Sequence, residues 1–91
     1  MCRNIKPLHN FQPAATEDEM HAAATQYVRK VAGMPKPSAA NAEAFDRAIA
    51  EVTAATERLL GSLVTHAPKR DREVEAVKAR ERSRRRFATP A

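Results

Sequence analysis

The chain holds a single cysteine, and it stands second, in the opening MCRNIKPLHNFQP. Removal of Met1, which a small second residue permits, would leave a thiol and an α-amine on one residue. The amine titrates at about 7.7–8.0 and the thiol at about 8.5, and the ammonium together with Arg3 lowers the thiol. Such a pair can act as nucleophile and base, sense redox state, or chelate a metal through nitrogen and sulfur, with His9 and His21 as further ligands. The same residue can instead serve as a small buried apolar side chain, a common fate of free cysteine. No Ser/His/Asp, Cys/His or CxxC arrangement accompanies it, and no metal-ligand spacing is present. Nearly every carboxylate sits where a solvated helix face is expected, and none pairs for acid–base work. Cys2 is therefore the one catalytic candidate; no metal site is expected, and the cofactor question stays open. The residues argue more against an enzyme than for one.

The other chemical feature is a cluster of cations. Residues 1–68 carry seven basic and seven acidic side chains, whereas residues 69–91 carry nine basic and four acidic. The whole net charge of +5 thus sits in the last quarter. Lys78, Arg80, Arg82, Arg84, Arg85 and Arg86 surround one acid, Glu81. On a helix Arg82, Arg85 and Arg86 share a face, with Lys78 one turn before them. Clustered cations of this kind suit phosphate contacts that are salt-dependent and indifferent to base sequence, or an acidic protein surface. They also occur as plain solvated tails. Phe87 is one aromatic, too few for a stacking platform, and no helix-turn-helix or basic-zipper order is present. The segment has no Trp/Phe/Leu face opposite its charge, which argues against a membrane surface.

Three helical stretches must position these groups. Thr16-Glu17-Asp18-Glu19 reads as a capping box with acids at the positive end of the dipole. Met20, Ala23, Ala24, Tyr27, Val28 and Val31 follow at helical spacing, and Gly33 with Pro35 and Pro37 ends the run, predicting a helix over about 17–32. A second helix over about 39–65 starts at Ser38, or alternatively Asn41. Its apolar face is Phe45, Ile49, Val52, Thr56, Leu59, Leu60 and Leu63; Pro68 stops it, and Gly61 marks either a close approach or an early fray. A shorter basic third helix starts near Asp71, with Val74 and Val77 to tack its first turns onto the hairpin and nothing apolar to hold its second half. Ile5, Leu8 and Phe11 recur at intervals of three around Pro7 and Pro13. They suit an ordered strap over about 1–15, laid across the two helices.

At 91 residues this is one domain. It is rich in alanine, with no Trp and one Tyr, so its core buries little area and barely offsets chain entropy. The strap, a second copy in a homodimer, or another partner must add cover. There is no apolar run for a membrane span and no signal region, which places the protein in the cytoplasm.

The stretches MCRNI, LHNFQPAATEDE, AAATQYVRKVAG and KPSAANAEAF together resemble a family of small bacterial proteins catalogued as a domain of unknown function. The resemblance covers roughly residues 2–80 and is carried most specifically by the opening pentapeptide and QYVRK. It implies one compact bacterial domain and transfers no activity, cofactor or site.

The expected architecture is thus all-α: an antiparallel hairpin and strap forming a neutral body over 1–68, and a basic helix and tail over 69–91. The expected function is a small non-enzymatic cytoplasmic binding module, its basic segment contacting nucleic acid or an acidic partner. The alternatives are an N-terminal cysteine role at Cys2 and a structural subunit of an oligomer.

Overall fold

The computed structural model describes residues 3–88. Helix α1 runs Glu17–Ala32, α2 runs Ala42–Ser62 after a 3₁₀ turn at Ala39–Asn41, and α3 runs Arg72–Ala88. Two two-residue strands, β1 (Phe11–Gln12) and β2 (Arg70–Asp71), pair in parallel with Phe11 opposite Arg70. The fold is all-α apart from that pairing, with α1 and α2 packed as the hairpin.

Local chemistry accounts for each boundary. The Thr16 hydroxyl accepts the Glu19 amide at 3.2 Å, and the Glu19 carboxylate accepts the Thr16 amide at 2.9 Å, closing the capping box. At the other end Gly33 takes the left-handed conformation (φ 72°), where its amide and that of Met34 return to the Arg29 carbonyl. Both proposed starts of the second helix are used. Ser38 precedes the 3₁₀ turn and Asn41 precedes α2 without a side-chain cap bond at either, and the Asn41 side-chain amide donates instead to the Ser38 hydroxyl at 2.9 Å.

The hairpin core is small. Met20, Ala24 and Val28 of α1 and Phe45 and Thr53 of α2 are its buried residues, and the Thr53 hydroxyl is satisfied by donating to the Ile49 carbonyl. Each helix is rotated slightly from its most apolar face. Thr53 is buried, while Leu59 is 56 % exposed and Tyr27 and Val31 of α1 also face outward. Ala24 is the most buried residue of the hairpin, and a small residue at a seam permits close helix packing.

The strap is ordered over its described residues, but its main backbone partner is the segment leading into α3. The Arg70 amide donates to the Asn10 carbonyl at 2.8 Å, and the Asn10 side chain donates to the Pro68 carbonyl at 3.0 Å. Asn10 sits at φ 63°, a conformation asparagine tolerates better than most residues. Toward the hairpin the strap adds Ile5 and Leu8 beside Ala23, Tyr27, Val52 and Leu60. The Asn4 amide also donates to the Gln26 side chain at 2.8 Å.

Helix α3 corrects one expectation. Asp71 does cap it, its carboxylate accepting the Val74 amide at 3.0 Å, but Val74 and Val77 do not tack it down, being about half exposed. The inward face is Arg72, Glu75, Ala76, Ala79 and Arg82, turned toward the strap. The helix continues to Ala88.

The molecule is consequently a thin plate of 48 × 41 × 15 Å with a radius of gyration of 16.4 Å. A compact chain of this length would have about 12 Å. Gly61 lies near the end of α2, and a Cβ built there meets nothing within 4 Å. It marks no close approach, and α2 ends one residue later, at Ser62, which matches the early-fray alternative. Gly61→Ala is therefore expected to stabilise the protein by about 0.5 kcal/mol. The urea midpoint should rise with an unchanged slope, and a fall would show a steric role for the glycine.

Candidate functional site

All six predicted cations lie on α3, and all six are solvent-exposed. Helical spacing divides them. Lys78, Arg82, Arg85 and Arg86 follow one flank, while Arg80 and Arg84 follow the other. Lys78 is paired with Glu75 at 3.2 Å and Arg84 with Glu81 at 3.4 Å. Such exposed pairs contribute little and exchange readily for a stronger anion. Arg80, Arg82 and Arg86 have no carboxylate within ion-pair distance among the described residues.

The positive track continues past the helix onto the strap. Arg72 is the joint: its Nη1 and Nη2 each donate to one Glu19 carboxylate oxygen at 2.7 Å, and its Nε donates to the Pro13 carbonyl at 2.6 Å. Lys6 reaches the same carboxylate at 4.0 Å. Beside this joint the Arg70 guanidinium lies 4.4 Å over the centre of the Phe11 ring and donates to the His9 carbonyl at 3.1 Å. The angle between α3 and the strap encloses a groove of about 460 Å³. Its rim brings Arg82 together with Lys6 and Arg70.

Lys6, Phe11, Arg70 and Arg72 thus belong to the cationic surface, and reading the sequence assigned them no such role. The missing signal is long-range: Arg72 meets Pro13 and Glu19 across 59 and 53 residues. The parallel pairing of 11–12 with 70–71 is too short to leave a hydrophobic pattern.

The remaining candidates are not assembled. Cys2 lies outside the described residues. His9 sits in the strap and His21 on the exposed side of α1, and no group of three His, Cys, Asp or Glu able to hold a metal occurs among the described residues. A second, more open concavity carries Arg3, His21, Arg29 and Lys30 with no carboxylate in its lining, but every one of those side chains is fully on the surface. No helix among the described residues is long and apolar enough to cross a membrane.

A family model described as an uncharacterized conserved protein (DUF2277) matches residues 1–78. The match takes in Lys6, Phe11, Arg70 and Arg72 and ends before Arg80. No curated protein and no solved structure matches the chain.

The electrostatics of the joint carry a pH signature. Hydrogen bonds from Arg72, then the Thr16 amide, and the charges of Arg72 and Lys6 outweigh partial desolvation and lower the Glu19 carboxyl from 4.5 to about 2. Arg72 is raised by the same contact. A carboxyl lowered on folding contributes stability that is complete above its unfolded value and is lost as the pH falls through its folded one. The contribution of Glu19 should therefore be whole above about pH 4.5 and decline toward about pH 2. Glu19→Gln should be less stable at pH 7 and show a shallower acid limb in that window when urea midpoints are plotted against pH. Parallel limbs for the two proteins would mean that the joint adds nothing.

Proposed function

The chain belongs to the DUF2277 family, and from that premise and the geometry of α3 we propose that it is a small, non-enzymatic, cytoplasmic binding module that contacts nucleic acid through its basic C-terminal helix. The single observation that carries this reading is the projection of α3. Over residues 78–86 it presents six cations on both flanks, all exposed. A structural helix would turn a stripe of side chains into a core; this one offers charge along its length. The rise of 1.5 Å per residue sets Lys78, Arg82 and Arg85 about one turn apart along a flank, a spacing suited to successive phosphates. Affinity from such contacts comes from counterion release and does not depend on base sequence.

If about four phosphates are engaged, binding to an oligonucleotide should weaken on the order of a hundredfold between roughly 50 and 200 mM salt. The triple variant Arg84→Ala, Arg85→Ala, Arg86→Ala should bind less tightly and with a salt slope smaller by about two to three units. Its helical circular dichroism should be unchanged, since alanine favours the helix. Absence of binding at low salt, tested by fluorescence anisotropy, would reject nucleic acid and leave an acidic protein as the remaining partner.

A second reading, a structural subunit of an oligomer, is favoured by the surface. The protein exposes 7364 Å², whereas a compact monomer of its size exposes about 5,300 Å². Tyr27, Val31, Leu59, Leu63 and Val64 are all at least two-fifths exposed. On this reading sedimentation equilibrium at micromolar concentration gives a dimer, and Val64→Asp lowers the associated fraction; a monomer at every concentration removes it.

A further inference from the structure

The groove at the base of α3 has features that phosphate contact alone does not require. Its lining includes apolar side chains, Leu8 and Phe11 of the strap and Ala76 and Ala79 of α3. Its volume of about 460 Å³ falls within the range of small-ligand sites, roughly 300–1,000 Å³. Of the two carboxylates in its wall, Glu19 is engaged by Arg72 and Glu75 by Lys78. Lys6 reaches Glu19 only at 4.0 Å, Arg70 and Arg82 lie outside these pairs, and the lining carries more cations than carboxylates.

Arg70 gives the groove its particular chemistry. Its guanidinium carbon lies 4.4 Å over the centre of the Phe11 ring, and its Nη2 donates to the His9 carbonyl at 3.1 Å. The group is thus held at two points while Arg70 remains exposed and lines the groove. A guanidinium plane held in this way is a stacking surface for an unpaired nucleobase. Phe11 backs it by cation–π attraction.

We propose that this groove takes one unpaired base of a single-stranded nucleic acid. The base stacks on Arg70 beside the apolar side chains, and its flanking phosphates meet Lys6 and Arg82. The proposal rests on the reading of α3 as a nucleic-acid contact and adds a preference to it. A base inside a duplex is already stacked on both faces and cannot enter a concavity, so the groove distinguishes single strands from duplexes while α3 does not.

The test compares a single-stranded 12-mer with a hairpin duplex of equal phosphate number, using the full chain. Arg70→Lys keeps the charge and removes the plane. Ala79→Leu fills the groove without changing charge and stays compatible with the helix, so it decides the matter if Arg70→Lys fails to fold. Each variant is expected to lose about tenfold in affinity for the single strand, with an unchanged salt slope and unchanged duplex binding. Wild-type affinity for the single strand in both folded variants, or equal losses on both ligands, would overturn the groove and leave the α3 reading standing. Failure of the wild-type protein to bind either ligand at low salt would overturn both.

Discussion

The arrangement of this protein depends on the bidentate pair between Glu19 and Arg72. Glu19 closes the capping box of α1 with the same carboxylate that receives Arg72, and Arg72 also holds the strap through the Pro13 carbonyl. Three elements therefore meet at one ion pair. The apolar core cannot do this work, because it ends at the α1–α2 seam and α3 turns a largely polar face inward. Planar guanidinium–carboxylate geometry specifies direction as well as attraction. The pair is also partly shielded, with side chains 31 % and 21 % exposed, so salt screens it less than the open pairs farther along α3.

Much of the fold is legible from local residue chemistry. Thr16 and Glu19 mark the start of α1, Gly33 its end, and Asp71 the cap of α3, because each acts on backbone groups within a few residues. Helix faces are legible only approximately. Tyr27, Val31 and Leu59 belong to the apolar stripes by spacing, but the helices settle a fraction of a turn away, with Ala24 and Thr53 buried. Val74 and Val77 mislead for a related reason. Two valines are too small a stripe to outweigh the Arg72–Glu19 pair, and the pair sets the rotation of α3.

The candidate surface divides in the same way. The cations of α3 are visible in the sequence as a cluster because they are neighbours on one helix. Lys6, Phe11 and Arg70 become part of that surface only after the strap pairs beside β2, and a two-residue pairing between segments some sixty positions apart leaves no periodicity to read. The difference in character between the two parts is chemical as well. The helix offers charge, whereas the groove adds a guanidinium plane and apolar side chains.

The pairing of the strap with residues 67–72 also has a cost in chain entropy. The hairpin closes a short loop between α1 and α2, helices consecutive in the chain. The strap must close a loop of 59 residues to reach Arg72, at an entropy cost of roughly 3–4 kcal/mol beyond the constant term. The strap's contacts at Asn4, Ile5 and Leu8 need only α1 and α2, whereas those at Asn10 and Pro13 need residues 67–72. Closing the hairpin's shorter loop costs less entropy than closing the loop to Arg72, and a chain interrupted before Arg72 lacks the bonds from Arg72 to Pro13 and Glu19.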